Sequence, residues 1–214
     1  MILTRYGENG VRIKFGDAIN LETHEKVRQC YFFLKAIHLP EITDITPAFT
    51  ACLIHFDTRK TSFTKLAELL SEREPDMALA PVSEPAVHEI AVRYGGVHGL
   101  DMSFVCAHCG LTEDEVITIH TAELYTVFTV GFIPGFPYLG VLDRRLNTPR
   151  LETPRVRVPK GSVGIAQRQT GIYPFQSPGG WRIIGQTETN LFDAKKEPYS
   201  LMQIGDKVRF IQEW

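Results

Sequence analysis

Hydrophobic and polar positions change rhythm along the chain. Val11, Ile13 and Phe15 alternate with polar neighbours, the period-two signature of a half-buried strand, and the stretch from Gly7 to Gly10 reads as a hairpin turn. Val27, Cys30, Tyr31, Leu34 and Ile37 then recur at spacings of three and four, which predicts an amphipathic helix from near Asn20 to just before Pro40. A second strand is expected over 51–56, and Ser62 is placed to cap a helix carrying Phe63, Leu66, Leu69 and Leu70 on one face. These elements make a small α/β domain, 1–85. Pro75, Pro81 and Pro85 punctuate a stretch of low periodicity, so a linker is expected around 76–86.

A second domain, 86–214, opens with Ile90, Val92 and Tyr94 alternating with Ala91 and Arg93, followed by the Gly95-Gly96 turn. Two short helices follow. Asp101 is positioned to cap the first, which Gly110 ends, and Thr112 with Glu115 forms a capping box for the second, ending near His120. Beyond Leu124 the pattern turns to short extended segments over 125–132, 155–158, 163–166, 181–184 and 207–211, separated by Gly or Pro. Many short strands punctuated in this way indicate a barrel or a sandwich.

Composition narrows the class. With 214 residues, 43% hydrophobic and 22% charged, the chain has the make-up of a soluble globular protein and not of a disordered or fibrous one. No run approaches the roughly 20 apolar residues that span a bilayer, and the start Met1-Ile2-Leu3-Thr4-Arg5 lacks the pattern of a secretion signal, so a cytoplasmic location is expected. Cys30, Cys52, Cys106 and Cys109 are then expected to be reduced and to act as small buried hydrophobes. The balance of 23 Lys+Arg against 25 Asp+Glu argues against nucleic-acid binding. It conceals a basic segment from Arg144 to Arg168, in which Arg144, Arg145, Arg150, Arg155, Arg157, Lys160 and Arg168 stand against Glu152 alone. Residues 131–185 also hold 9 of the 17 Gly and 7 of the 13 Pro.

Common catalytic signatures are absent. There is no P-loop, no G-x-G-x-x-G and no G-x-S-x-G elbow; Lys160-Gly161-Ser162 echoes a P-loop tail, but Pro159 has no N–H to offer a phosphate. Cys106-Ala-His-Cys109 has half the spacing of a zinc site with no second half, so helix packing is expected and no metal. His120 ends a helix, where the dipole favours its protonated form, and either a catalytic or a capping role fits. In Arg155-Val156-Arg157-Val158 the period of two puts both guanidinium groups on one face and both valines on the other. Such a pair suits an anion, or simply a solvated strand face. The run 131–140 alternates aromatics with Gly and Pro, and with the turns at 169–173 and 177–181 it reads either as a small-molecule pocket or as tight barrel turns.

Four motifs in this order resemble those of the KipI/PxpB family, also called allophanate hydrolase subunit 1 or the carboxyltransferase domain of subdomain C and D type. They are Gly131-Phe132-Ile133-Pro134-Gly135-Phe136-Pro137-Tyr138-Leu139-Gly140, Thr153-Pro154-Arg155-Val156-Arg157-Val158-Pro159-Lys160-Gly161-Ser162-Val163, Gln169-Thr170-Gly171-Ile172-Tyr173-Pro174 and Ser177-Pro178-Gly179-Gly180-Trp181. Ile133 and Pro137 stand where Leu and Ala are typical. The resemblance is strong over 120–190 and present only in outline over 1–85.

This resemblance implies an α+β protein: a small N-terminal α/β domain followed by a cyclophilin-like β-barrel. It implies the PxpB-type component of an ATP-dependent 5-oxoprolinase, which opens the lactam of 5-oxoproline to L-glutamate together with a PxpC-like subunit (allophanate hydrolase subunit 2) and a PxpA-like (LamB/YcsF) subunit. ATP would be the co-substrate of the complex, its site non-classical or on a partner. The family also includes an inhibitor of a sporulation histidine kinase, and similar domains act in urea and allophanate metabolism. On this reading His120, Arg157 and Gln169 are candidate catalytic residues. Gly135, Phe136, Tyr138, Arg155, Lys160, Tyr173 and Ser177 are candidates for substrate binding.

Overall fold

The computed structural model describes residues 1–82 and 84–213. They divide into two compact units, Met1–Glu84 and Pro85–Trp214. The first contains β1 (Ile2–Tyr6), β2 (Gly10–Lys14), α1 (Leu21–Ile37), β3 (Ile42–Pro47), β4 (Ala51–Phe56), α2 (Phe63–Glu72) and α3 (Glu74–Leu79). Its sheet is antiparallel in the order β1-β2-β4-β3. Ser62 caps α2 through the Lys65 N–H, as the sequence pattern predicts, and Asn20 caps α1 by accepting the Thr23 N–H at 2.8 Å. Val11, Ile13, Val27, Leu34, Ile54, Leu66 and Leu70 are buried within the unit. The two edge strands escape a periodicity reading because β1 leaves Ile2 and Tyr6 exposed and β3 has no buried residue.

The linker expected over 76–86 is corrected in part, since α3 occupies its start; residue 83 lies outside the described residues. Pro75 is the reason: within the first turn of a helix its missing N–H costs nothing, so a residue read as a breaker starts a helix instead, beside Glu74 and Asp76.

The second unit runs β5 (Val87–Tyr94), α4 (Met102–Cys109), α5 (Glu113–Ala122), β6 (Leu124–Val130), β7 (Pro137–Gly140), β8 (Arg155–Val158), β9 (Ser162–Ala166), β10 (Gln169–Ile172), β11 (Ser177–Gly179), β12 (Arg182–Gln186) and β13 (Lys207–Gln212). Of the two architectures left open, the barrel is found: it closes in the order β10-β7-β6-β13-β5-β12-β9, with β9 paired back to β10. The Thr112–Glu115 capping box forms as expected. Asp101 sits at the N-cap position of α4, but its side chain makes no capping bond, which corrects that expectation. The carboxylate is taken up elsewhere, by Arg155 and by the Ile183 N–H.

Two faces of one strand organise the site. Along β10, Thr170 and Ile172 are buried on one face, where Thr170 meets His120. Gly171 faces the other way, toward Phe136. The unit therefore has a main core of 20 buried residues and a smaller cluster of Phe136, Val158, Ala166, Tyr173, Trp181 and Ile183.

Candidate functional site

The smaller cluster is built from the Gly/Pro-rich segment. The loop between β6 and β7 is closed by two backbone bonds, Gly131 N–H to the Phe136 carbonyl at 3.0 Å and Phe136 N–H to the Ile133 carbonyl at 3.1 Å. They deliver Phe136 into the middle of four aromatic rings. It meets Tyr138, Tyr173 and Trp181 edge-on at centroid distances of 4.9, 5.1 and 5.5 Å, and Tyr138 meets Trp181 at 5.7 Å.

Glycines make the room for these rings. A Cβ on Gly171 would lie 3.0 Å from the tip of Phe136, one on Gly164 3.1 Å from the Trp181 Cβ, and one on Gly179 2.7 Å from a ring carbon of Tyr173. The glycine density that composition showed thus serves close approach of rings to backbone as well as turning. Gly179→Ala is expected to cost about 1–3 kcal/mol in chemical denaturation. Gly180→Ala, whose added carbon meets nothing nearer than 3.6 Å, should be close to neutral.

Against this cluster lies a hollow of about 280 Å³. Phe132, Phe136, Tyr138, Tyr173 and Trp181 supply its aromatic surface, Leu151, Pro154 and Pro178 its aliphatic surface, and Gly179 and Gly180 a stretch of bare backbone. Arg150 is the single charged residue in this lining. Its guanidinium lies over the Trp181 ring at 5.9 Å, it is exposed, and it has no carboxylate partner among the described residues. Burial pushes the Tyr138 and Tyr173 phenols above their ordinary range, so both are neutral hydroxyls near pH 7. An apolar hollow with one cation at its rim suits a small molecule with an apolar body and an anionic end.

Of the residues singled out from sequence, Phe136, Tyr138 and Tyr173 line the hollow. Gly135 is buried in the preceding loop and packs on Phe192, and Ser177 precedes the lining residue Pro178. Of the two readings left open for the arginine pair, Arg157 fits the solvated strand face and Arg155 fits neither. Arg155 is committed to Asp101 through two parallel bonds of 2.8 and 2.9 Å, while Arg157 is exposed. Asp101 is 5% exposed and also accepts the Ile183 N–H at 2.7 Å, so this is a partly buried structural clamp. The valines divide too: Val158 is buried and Val156 is 80% exposed, because β8 belongs to a two-stranded ribbon with β11 and not to the barrel wall. Lys160 is exposed and donates to the Asn190 side-chain oxygen at 3.1 Å. Gln169 begins β10, and its buried side-chain nitrogen has no hydrogen-bond partner among the described residues.

His120 is 0% exposed and does not line the hollow. It is surrounded by Tyr94 of β5, Tyr125 of β6, Thr170 of β10 and Phe210 of β13. Thr170 donates to the Gly164 carbonyl at 3.1 Å, so His120 Nε2–H donates to Thr170 at 2.9 Å and Nδ1 accepts from the Tyr94 hydroxyl at 2.8 Å. The expected protonated form is corrected: desolvation pushes its pKa down from 6.5 to about 3, outweighing the helix end. The result is a neutral imidazole with both nitrogens engaged.

Sequence reasoning missed most of the lining as site residues, above all Phe132, Arg150 and Trp181. Arg150 and Trp181 were visible, one within the basic segment and the other closing the fourth motif, but only the fold sets the cation over the indole.

The family model for the carboxyltransferase domain, subdomain C and D, matches residues 1–202. A protein of Escherichia coli O157:H7, named as the B component of 5-oxoprolinase, is 36% identical over 208 residues, covering 97% of this chain and 94% of that protein. A protein of the same name from Bacillus subtilis (strain 168) is 35% identical over 221 residues, covering 98% of this chain and 92% of that one. The crystal structure of TTHA0988 matches 96% of this chain at 33% identity with a TM-score of 0.84. The match takes up 40% of that chain, so this protein spans less than half the length of that solved relative. Matched over nearly its whole length, and carrying the four motifs around one hollow, the chain belongs to the carboxyltransferase domain, subdomain C and D, family, the KipI/PxpB family that its motifs resemble.

Proposed function

We propose that this protein is the PxpB-type component of an ATP-dependent 5-oxoprolinase and that the hollow beside the aromatic cluster receives 5-oxo-L-proline. The observation that carries the reading is Arg150, a guanidinium without a carboxylate partner among the described residues, at the rim of an otherwise apolar hollow. 5-Oxoproline has the matching halves: a small ring with a methylene edge for the aromatic walls and a carboxylate for the guanidinium. The names of the relatives support the same assignment.

Opening the lactam requires loss of amide resonance. Transfer of the ATP γ-phosphoryl group to the amide oxygen, releasing ADP, activates the carbonyl carbon. Water adds there, the C–N bond breaks with protonation of the leaving nitrogen to give γ-glutamyl phosphate, and a second water releases phosphate and glutamate. Within the hollow the titratable groups are two neutral phenols and Arg150, so binding and orientation are this chain's part. The phosphoryl donor site and the base that activates water belong, on this reading, to PxpC-like and PxpA-like partners. ATP use places the complex in the cytoplasm; among the described residues no helix is long and apolar enough to cross a membrane.

The test is to mix the chain with both partner subunits and follow glutamate release from 5-oxoproline with ATP. The wild-type complex should release glutamate. Arg150→Gln should raise KM about tenfold to a hundredfold, the worth of a charge-assisted hydrogen bond, with folding unaffected because the residue is exposed. A stable complex that releases none rules the reading out.

A further inference from the structure

Phe132 stands out from the rest of the hollow's lining. It is 62% exposed, and its backbone is left-handed, with φ of 69°. That region crowds the Cβ against the neighbouring carbonyl and is rare for a bulky side chain. The other left-handed positions are seven glycines, His38 and Gln167, so Phe132 is the sole large apolar residue held this way among the described residues. The loop enforces it. The Gly131–Phe136 backbone bond closes one side, and Gly135, with φ of 82°, packs so tightly that an added Cβ would lie 2.7 Å from that of Phe192. Packing returns little: the ring touches Phe136 edge-on at 5.8 Å and otherwise faces the hollow and solvent. A strained, exposed aromatic at the mouth of an apolar hollow is accounted for by something that binds against it.

We infer that Phe132 is the specificity-determining wall of the hollow, set in advance to stack on a flat ring, so that the site takes a small cyclic amide bearing a carboxylate in preference to an open-chain amide with the same polar groups. The inference rests on the proposed reading of the hollow. With the loop fixed, the ring face is already in place, and ordering it at binding costs little. An open-chain amide has the same polar groups, but its planar amide is trans and its two ends point apart, so it covers less of the Phe132 face than a closed ring with a cis amide.

The experiment titrates the full-length chain with 5-oxo-L-proline and, separately, with N-acetyl-L-alanine, its open-chain counterpart, by calorimetry. Wild type should prefer the ring. Phe132→Leu keeps an apolar side chain without a flat face, and Phe132→Gly also relieves the backbone; each should weaken 5-oxoproline binding roughly threefold to tenfold while leaving N-acetyl-L-alanine nearly unchanged. Phe132→Tyr should retain the preference. A cyclic-to-open-chain ratio in Phe132→Leu equal to that of wild type overturns the inference while leaving the hollow's assignment intact. A wild-type chain and complex that bind neither compound overturn both.

Discussion

Phe136→Ala is expected to destabilise the barrel unit by about 3–5 kcal/mol, the largest effect of any single truncation in the aromatic cluster. Phe136 is 1% exposed and meets four rings, those of Phe132, Tyr138, Tyr173 and Trp181. It also fills the space above Gly171, where the strand carries no side chain of its own. Removing it leaves a void that Tyr138 and Trp181 cannot close, since each is held by its own strand or turn. Chemical denaturation of the variant measures the loss, with Val156→Ala as a control expected within about 0.5 kcal/mol of wild type because that side chain is 80% exposed. A loss below about 1 kcal/mol would show that the hollow does not depend on this ring.

The barrel strands were legible because apolar residues at every second position with Gly or Pro between them leave few alternatives. Strands β7, β10 and β11 were not, since four-residue and three-residue strands containing Gly and Pro carry no period to count. The site shows the same division. Phe136, Tyr138 and Tyr173 could be picked out as aromatics among glycines, and they do line one hollow. The arginines could not be sorted. Arg150, Arg155 and Arg157 look alike along the chain, and what separates them is Asp101, which lies 54 positions from Arg155 and engages it alone of the three. An ion pair between residues so far apart leaves no local signal.

The second large effect concerns acid. The unfolded chain holds the His120 imidazole at its ordinary 6.5, and the folded chain holds it near 3. Below pH 6.5 the unfolded state therefore takes up a proton that the folded state refuses, and stability falls as pH falls, by about 1.4 kcal/mol for each unit between 6.5 and 3. Above pH 6.5 the contribution is complete. Protonation would also set an Nδ1–H against the Tyr94 O–H and break that hydrogen bond, while the Nε2–H bond to Thr170 would stay as it is. His120→Gln keeps a donor for Thr170 and cannot titrate, so it should be less stable than wild type at pH 8 and show a flatter loss of stability between pH 6.5 and 4.5. Parallel stability curves for the two proteins would contradict the neutral, buried imidazole.

If the aromatic hollow, with Arg150 at its rim, is where 5-oxoproline binds, a crystal structure of this chain with its partner subunits, soaked with 5-oxo-L-proline, tests it most directly. The lactam ring is expected between Phe132 and Trp181 with its carboxylate on Arg150; a ligand bound wholly within a partner, with this hollow empty, would contradict that assignment.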